Sequence, residues 1–195
     1  PTDSGFPGES SGLLVGYRNW NEIETATLAF GYGISVTPLQ LAQSYAVLAS
    51  GGIRRPATFL RQDTVPAGER ILPAWVAQQV NGMLEEVTGP QGTALTARVA
   101  GYRVGGKTGT VRKSIAGGYS EDKYLAVFAG MAPVSDPRLV MVVMVNEPGN
   151  GKYYGGQVAA PVFSRVMSGA LRLMAVPPDD LPLPETLQMA AGGPA

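Results

Sequence analysis

Two long apolar runs constrain the fold of this chain more than any other feature. They extend from Tyr124 to Ala132 and from Leu139 to Asn146, and the segment between them, Pro133 to Arg138, has the Pro, Ser and Asp residues typical of a hairpin loop. A strand with one solvated face alternates apolar and polar residues, whereas these runs are almost continuously apolar. The pattern therefore predicts an antiparallel sheet with helices packed on both faces, in an α+β domain.

The strongest helix signal lies in the first quarter of the chain. Thr37 is a typical N-cap, Pro38 suits the first helical position, and Gln40 completes a capping box. Gly51-Gly52 marks the end of this helix. Apolar residues occupy two of its faces, so we expect it to be buried on most sides.

Two more helices and one short strand are indicated outside the apolar runs. The helices span Pro73 to Val87 and Gln157 to Met174, and the strand lies near Thr58 to Leu60. The predicted apolar stripes are Val76, Val80, Met83, Leu84 and Val87 in the first helix and Val158, Val162, Val166, Leu171 and Met174 in the second. All of these elements are expected to have a structural role and not to carry catalytic residues.

The composition excludes several kinds of chemistry. The sequence contains no cysteine and no histidine, which rules out thiolate nucleophiles, Cys-zinc and imidazole metal sites, and a Ser-His-Asp triad within this chain. Acid–base catalysis here must use Lys, Asp, Glu or Tyr, and we expect no metal and no cofactor. Fifteen basic and fifteen acidic side chains cancel, so no overall field favours nucleic acid or an anionic membrane surface.

One domain is expected over residues 1–178, because 45% of the 195 residues are hydrophobic and only 15% are charged. From Asp179 the sequence becomes rich in Pro and then in Ala and Gly, so residues 179–195 are predicted to form a mobile tail. The sequence starts without Met and in mid-pattern. We therefore expect a fragment of a longer protein whose targeting segment lies elsewhere.

The best candidate for a functional surface is the segment from Tyr102 to Lys113. On a strand, Thr108 and Thr110 share one face and Lys107 the other, and the glycines at positions 105, 106 and 109 would let another molecule lie close to the main chain. A carboxylate or carbonyl could then meet hydroxyls and backbone N–H groups together. A glycine-kinked edge strand with solvated Lys and Thr side chains is the alternative on this segment alone.

Five segments, read in order, resemble the second half of the transpeptidase domain of class B penicillin-binding proteins, most of all the division-specific branch called penicillin-binding protein 3 or FtsI. They are Phe6 to Glu9, Gly31 to Ala42, Gly106 to Thr110, Phe128 to Pro133 and Tyr153 to Gly156. The resemblance covers residues 1–178 and implies the fold shared by penicillin-binding proteins and serine β-lactamases. In that fold the Lys-Thr-Gly strand borders an active site on a five-stranded antiparallel sheet that has helices on both sides.

The resemblance implies a peptidoglycan D,D-transpeptidase. A serine in this family takes the penultimate D-alanine of a stem peptide, and the amine of a neighbouring stem completes the cross-link; β-lactams acylate the same serine. Stem peptides, β-lactams and other cell-division proteins are therefore the implied ligands and partners. The implied location is the periplasmic face of the bacterial inner membrane, with an anchoring N-terminal helix outside this sequence.

The same resemblance implies roles on the Lys-Thr-Gly strand. Lys107 would supply positive charge for proton transfer and carboxylate binding, and the hydroxyls of Thr108 and Thr110 would hold the terminal carboxylate. The Thr110 backbone N–H would be one donor of the oxyanion hole, and Gly109 would let the substrate approach the main chain.

Three residues beyond the strand motif are further substrate-binding candidates. Arg112 shares the strand face of Thr108 and Thr110 and could add a forked contact to the carboxylate; a solvated charge at the strand end is the alternative. Tyr153 and Tyr154 are expected to wall the site opposite the strand, or to be core residues.

One departure from the family pattern concerns the nucleophile. The family needs a Ser-x-x-Lys and a Ser-x-Asn motif before Lys-Thr-Gly, and this sequence contains no Ser-x-Asn. Its Ser-x-x-Lys string, Ser120 to Lys123, follows Lys107 in a glycine-flanked loop where the lysine would not be desolvated. We interpret that string as accidental. The nucleophile is expected in the N-terminal part of the same protein. We expect that part to be a separate polypeptide that associates with this chain.

Two other functions remain open on the same fold. A serine β-lactamase would share the Lys-Thr-Gly strand and would be recognised by fast hydrolysis of its acyl-enzyme. A non-catalytic β-lactam sensor or division-complex interaction module would lack both upstream motifs, which the coding sequence before Pro1 would reveal.

Overall fold

The structure is a computed structural model that describes residues 1–14, 16, 18, 20–116 and 118–181. Its central feature is an antiparallel sheet of strands β5 (Gly105–Ile115), β6 (Gly118–Ala132) and β7 (Leu139–Asn146), in the order β5-β6-β7. Thr108 pairs with Phe128, which pairs in turn with Val143. Both apolar runs therefore form strands, as predicted.

Strand β6 begins before the predicted start at Tyr124. Residues 118, 119 and 124 of β6 pair with the end of β5, with a shift in register between 119 and 124, and this part of β6 extends beyond β7, whose last residue, Asn146, pairs with Leu125. The end of β5 and the start of β6 thus form a two-stranded hairpin that projects past the sheet. At the other side of the sheet, no strand in the described part of the chain pairs with the outer edge of β7.

Helices cover both faces of the sheet, which confirms the prediction from the apolar runs. Alternate residues of β6 point to opposite sides: Phe128 packs with Phe163 of helix α5 at a ring-centroid distance of 4.8 Å, whereas Met131 packs in a second cluster with Tyr45 of helix α2. Both of the β6 side chains are fully buried. Two hydrophobic clusters therefore share one strand as their common wall.

The elements on these two faces have clear boundaries. On the Met131 side lie α2 (Pro38–Ala49) and α3 (Ala74–Glu86), and on the Phe128 side lie α4 (Gly155–Val158), α5 (Ala160–Leu173) and a 3₁₀ turn, Leu95–Ala97. The predicted last helix is thus two helices that meet at Ala159. No helix in the described ranges is both long and apolar enough to cross a membrane.

Helix α2 begins as predicted but is less buried than predicted. The Thr37 hydroxyl accepts a hydrogen bond from the Gln40 N–H at 3.1 Å, and the Gln40 side chain accepts one from the Thr37 N–H at 2.8 Å, so the capping box is complete. Only Tyr45 and Val47 are fully buried in this helix. The prediction of burial on most sides is therefore confirmed only in part: Pro38, Ser44 and Ala46 are exposed, and the remaining residues of the helix are half-buried against the sheet, α3 and residues 53–54.

Two short strand pairs and one helix differ from the sequence prediction. Thr58 to Leu60 is not a strand, because the Thr58 hydroxyl accepts from the Leu60 N–H and bends the chain. Instead β3 (Ile53–Arg54) pairs with β4 (Glu69–Arg70). Earlier in the chain, β1 (Leu13–Leu14) pairs with β2 (Ile34–Ser35) around α1 (Glu22–Leu28), which the sequence reading left unassigned.

Three residues of the predicted apolar stripes face solvent. Met83 of α3 is 67% exposed, Val166 of α5 is 52% exposed and Met174, directly after α5, is 51% exposed, whereas Ala77 and Phe163 are fully buried. The helices exist as predicted, but the sheet lies against neighbouring positions on each helix. Periodicity alone did not distinguish these adjacent faces.

The described part of the C-terminal segment is attached to the domain. The Asp179 carboxylate accepts hydrogen bonds from the Arg103 N–H at 2.8 Å and from the Ser135 hydroxyl at 2.7 Å, and the backbone N–H groups of Asp179 and Asp180 donate to the Gly101 carbonyl. The remainder of the predicted mobile tail, residues 182–195, lies outside the described residues.

Candidate active site

The Lys-Thr-Gly segment lies on β5 at the edge of the sheet. Because β5 has only β6 as a partner in the described part of the chain, every second residue directs its backbone N–H and C=O away from the sheet. The Val104 carbonyl accepts from the Thr88 hydroxyl and the Thr108 carbonyl accepts from Lys107 Nζ, so the even-numbered residues belong to this outward set. Thr110 follows in the same alternation.

Lys107 leaves its own strand face and reaches around this open edge. Its Nζ donates to the Thr108 carbonyl at 2.9 Å and lies 3.4 Å from the Thr108 hydroxyl. The ammonium group is therefore held beside the hydroxyls of the opposite face, although strict alternation would separate them. An exposed edge makes this path possible, since a neighbouring strand would block it.

Thr108 and Thr110 line one cleft of about 440 Å³. The Thr108 and Thr93 hydroxyls are 3.3 Å apart, and the Thr110 hydroxyl accepts from the Gly155 N–H at 3.1 Å. The Thr110 hydroxyl proton remains able to bind an anion, since its oxygen is the acceptor in that contact. Other residues lining the cleft include Gly92, Leu95, Thr96, Tyr154, Gly155 and Gly156.

The floor of the cleft requires glycine where α4 meets the sheet. A Cβ on Gly155 would lie 2.7 Å from the Gly109 carbonyl oxygen, and a Cβ on Gly156 would lie 2.4 Å from the Thr93 carbonyl oxygen. The Tyr-Tyr-Gly-Gly segment therefore brings the start of α4 directly onto β5.

The glycines of β5 do not all serve the role predicted for them. A Cβ on Gly106 would lie 2.5 Å from the Phe128 ring, and one on Gly105 would lie 3.2 Å from Val134, so these two glycines make room for the protein's own core. A Cβ on Gly109 would have only Val127 within 4 Å, at 3.6 Å. Gly109 is thus the residue of the three that leaves space beside the main chain.

Three tyrosines form a row at one end of the cleft. Tyr154 lines the cleft and is 54% exposed, Tyr153 lies behind it at a centroid distance of 4.6 Å, and Tyr153 stacks on Tyr124 at 4.1 Å with an interplanar angle of 13°. A hydrogen bond with the Tyr154 side chain is the main cause that raises the pKa of Tyr153, and the Arg112 guanidinium opposes it. We name Tyr124, Tyr153 and Tyr154 the tyrosine row.

Arg112 lies next to this row. It pairs in register with Tyr124, two residues beyond Thr110 on the same face of β5, or about 7 Å further along the strand. Its side chain is exposed, and no carboxylate of a described residue lies within ion-pairing distance. Arg112 therefore presents an uncompensated charge beside the cleft rather than within it.

The Ser-x-x-Lys string lies within strand β6, so the prediction that it lies in a loop is wrong. The Ser120 hydroxyl donates to the Asp122 carboxylate at 2.8 Å and accepts from the Lys123 N–H at 3.1 Å. Lys123 Nζ lies instead 3.8 Å from the Glu147 carboxylate. Nothing in this arrangement makes Lys123 a base for Ser120, in agreement with the interpretation of the string as accidental.

Thr93 and Tyr124 belong to this site but were not recognised in the sequence. Thr93 lies in a loop with no periodic pattern, and Tyr124 was read only as the first residue of a strand. Both reach the site through tertiary contacts. The one available signal was the pairing of β5 with β6, which puts Tyr124 opposite Arg112.

The cleft beside β5 is the functional candidate on chemical grounds. A cavity of about 470 Å³ between α2, α3 and the loop after β6 and one of about 680 Å³ near Arg98 and Tyr102 are also present. Neither is lined by Lys107, Thr108 or Thr110. The cleft beside β5 is lined by both of the β5 hydroxyls, and Lys107 Nζ lies 3.4 Å from one of them, the Thr108 hydroxyl.

Comparison with known proteins identifies the family of this chain. Residues 1–168 match the family model described as penicillin binding protein transpeptidase domain. The chain is 45% identical over 175 residues to a probable peptidoglycan D,D-transpeptidase PenA from Neisseria flavescens, which covers 90% of this chain and 44% of the relative. It is 47% identical over 180 residues to peptidoglycan D,D-transpeptidase FtsI from Escherichia coli K12, which covers 92% of this chain and 31% of the relative.

A solved structure shows the same fold. The apo transpeptidase domain of penicillin-binding protein 3 from Burkholderia pseudomallei superposes with a TM-score of 0.86 at 45% sequence identity, over 93% of this chain and 55% of that one. The chain thus spans 31–44% of the length of the two curated relatives and about half of the solved domain. On the family match, the identity and the shared fold together, this chain belongs to the penicillin-binding protein transpeptidase domain family.

Proposed function

We propose that this chain forms the Lys-Thr-Gly side of a serine D,D-transpeptidase site that cross-links peptidoglycan and is acylated by β-lactams. The observation that supports this most is the open edge of β5, where two threonine hydroxyls line one cleft and Lys107 Nζ lies 3.4 Å from the hydroxyl of Thr108. A stem peptide ending in a carboxylate, or a β-lactam with its acid group, needs this combination of donors. The names of the relatives, D,D-transpeptidases, support the same reaction.

Each residue of this chain acts on a defined part of the substrate. The Thr108 and Thr110 hydroxyls bind the terminal carboxylate, and the Lys107 charge stabilises it and assists proton transfer. The Thr110 N–H donates to the carbonyl oxygen as it becomes negative, a contribution of roughly 3–4 kcal/mol in comparable acyl-transfer sites. Gly109 leaves room for the peptide backbone alongside the strand.

The covalent step requires a serine from a segment outside this sequence. That serine would attack the carbonyl of the penultimate D-alanine, the terminal D-alanine would leave as the protonated amine, and the amine of a second stem peptide would then displace the serine. Arg112 and the tyrosine row contact the parts of the ligand beyond the scissile bond. In this proposal Arg112 adds positive charge for a second carboxylate, and Tyr154 provides an apolar wall.

The cellular setting follows from the substrate. Peptidoglycan lies outside the cytoplasmic membrane, so we place this domain at the periplasmic face of the inner membrane, anchored by an N-terminal helix outside this sequence. The FtsI name of one relative supports a role in septal synthesis during cell division, with other division proteins as partners.

Labelling with a fluorescent penicillin tests the proposal. The protein that contains this chain and its upstream segment should be labelled, with the acyl group mapped by mass spectrometry to a serine outside residues 1–195. The chain alone should not be labelled. Absence of labelling in the longer protein, or an acyl group on Ser120, would contradict the proposed function.

A further inference from the structure

One segment, residues 147–154, carries Tyr154 from the end of β7 into the cleft. Its far end is fixed to the Lys-Thr-Gly strand, because the Gly155 N–H donates to the Thr110 hydroxyl at 3.1 Å. Its near end is fixed by Glu147, which lies directly after β7. We name residues 147–154 the aromatic loop.

Glu147 joins the aromatic loop to both strands of the projecting hairpin. One carboxylate oxygen lies 2.5 Å from Lys113 Nζ of β5 and the other lies 3.8 Å from Lys123 Nζ of β6, while the Glu147 N–H donates to the Tyr124 carbonyl at 2.9 Å. The hydrogen bond with Lys113, the Lys113 charge and the Lys123 charge lower the pKa of Glu147. A single residue thus connects three strands beyond the end of the sheet.

The backbone at Glu147 is also unusual. Its φ is +51°, a left-handed conformation that glutamate rarely adopts. That conformation redirects the chain from β7 toward the hairpin, and the contacts to Lys113, Lys123 and the Tyr124 carbonyl compensate for its cost.

The contacts of Glu147 converge on the same hairpin positions that hold the tyrosine row. Tyr124 provides the carbonyl for Glu147 and the ring on which Tyr153 stacks, and Tyr153 in turn lies against Tyr154. A shift of the loop start relative to the hairpin would therefore move Tyr153 on Tyr124. It would also move Tyr154 in the cleft.

We propose that Glu147 is a positioning residue that fixes the aromatic loop on the β5–β6 hairpin and thereby sets the position of the Tyr154 wall against the substrate's acyl side chain. This inference rests on the proposed function, because it assigns a specificity role within the same site. It concerns ligand groups beyond the carboxylate. The Lys107 and Thr110 contacts to the carboxylate do not depend on it.

If Glu147 acted only through its charge, its removal would change β-lactam binding in the opposite direction from a loss of loop position. Removing the Glu147 charge makes the surroundings of Lys113 and Lys123 more positive, which would strengthen binding of an anionic β-lactam. Loss of loop position would weaken binding, and only for ligands that reach Tyr154. The sign of the change therefore separates the two explanations.

The test uses Glu147→Gln in the protein that contains this chain and its upstream segment. Glutamine has the same shape and carries the same backbone cost at positive φ, so the comparison isolates the charge. Glu121→Gln is the matched control, because Glu121 is an exposed acid on the same hairpin with no lysine or arginine within ion-pairing distance among the described residues. Acylation is measured with benzylpenicillin, which has an aromatic side chain, and with 6-aminopenicillanic acid, which has none.

For benzylpenicillin, Glu147→Gln should raise the half-saturating concentration about two- to fivefold, the range expected from loss of an exposed ion pair. Values for 6-aminopenicillanic acid and for Glu121→Gln should change less than about twofold. Deuterium exchange of the peptide covering residues 147–154 should become faster in Glu147→Gln, at an unchanged melting temperature. High salt should weaken the ion pairs and bring the wild type toward the variant.

Three results for Glu147→Gln would each overturn the inference. They are an unchanged rate of deuterium exchange in the aromatic loop, a lower half-saturating concentration for benzylpenicillin, and equal changes in half-saturating concentration for both β-lactams. Failure of the wild-type protein to be acylated would instead reject the proposed function, and the exchange measurement would still show whether Glu147 holds the loop.

Discussion

The Gly155 backbone N–H and the Thr110 hydroxyl are hydrogen-bonded at 3.1 Å, which ties the start of α4 to the Lys-Thr-Gly strand. This contact orients the Thr110 side chain before any ligand binds. The hydroxyl that would hold the substrate carboxylate is therefore preorganised by a backbone donor from a different element.

Lys107 and Thr110 should affect different kinetic terms of β-lactam acylation. Thr110→Ala removes a hydroxyl but keeps the backbone N–H, so it should chiefly raise the half-saturating concentration, while Thr110→Ser should stay near the wild type. Lys107→Ala removes a charge that assists both carboxylate binding and proton transfer, so it should also lower the limiting rate, by about 10²-fold or more. Stopped-flow acylation over a concentration series separates these terms. A normal limiting rate and affinity for Lys107→Ala would show that Lys107 is only a solvated strand residue.

Gly155→Ala should disturb the cleft through packing alone. The added methyl group would lie 2.3 Å from the Val127 carbonyl oxygen and 2.7 Å from the Gly109 carbonyl oxygen, so α4 must move away from β5. We expect a loss of about 1–3 kcal/mol in the free energy of unfolding and weaker acylation. Gly169→Ala is the control, because an added Cβ there meets nothing within 4 Å and should stabilise α5 by about 0.5–1 kcal/mol. Equal melting temperatures for the two variants would contradict this account.

Tyr45 should make the domain sensitive to alkaline pH. Burial raises the pKa of Tyr45 to about 12, against 10.0 for a free tyrosine. The protonated phenol is thus favoured by folding, and this contribution is fully present below pH 10 and is lost as the pH rises from 10 toward 12. Tyr45→Phe keeps the ring and should reduce the fall in melting temperature over that range. The same alkaline slope in both proteins would mean that other groups cause it.

Asp179 should stabilise the domain from its C-terminal segment. Its carboxylate bonds the Arg103 N–H before β5 and the Ser135 hydroxyl after β6, so Asp179→Ala should lower the free energy of unfolding by about 1–2 kcal/mol. Asp180 contributes its backbone N–H to the Gly101 carbonyl and a charge interaction with Arg103, so Asp180→Ala should lower the free energy of unfolding less than Asp179→Ala. Chemical denaturation of both variants would decide, and equal effects would show that the Asp179 side chain has no special role.

Local signals predicted the parts of this fold that depend on neighbouring residues. The capping box at Thr37 and the apolar runs of β6 and β7 each carry their information within one element. The same kind of signal was present and overlooked at Asn21, whose side chain caps α1 and whose N–H bonds Glu24. The sequence interpretation left this segment unassigned.

The remaining features depend on contacts between distant segments. The pairing of Ile53 with Arg70 brings together two residues with no shared pattern, and so the strand was placed at Thr58 instead. In the site, the alternation of Thr108 and Thr110 was readable from the sequence, whereas the path of Lys107 around the open edge depends on which side of β5 lacks a neighbour. Strand order is a tertiary property, and no periodicity reports it.

The outer edge of β7, which pairs with no strand in the described part of the chain, has a practical consequence for handling this polypeptide. Residues 139–145 are Leu, Val and Met throughout, and they present a row of unpaired backbone donors and acceptors on an apolar strand. Such an edge is a template for any extended chain of similar composition, including another copy of itself. Concentrated preparations of residues 1–195 should therefore self-associate through intermolecular β-structure, and Met144→Lys, at a position of this strand that is 48% exposed, should slow that process.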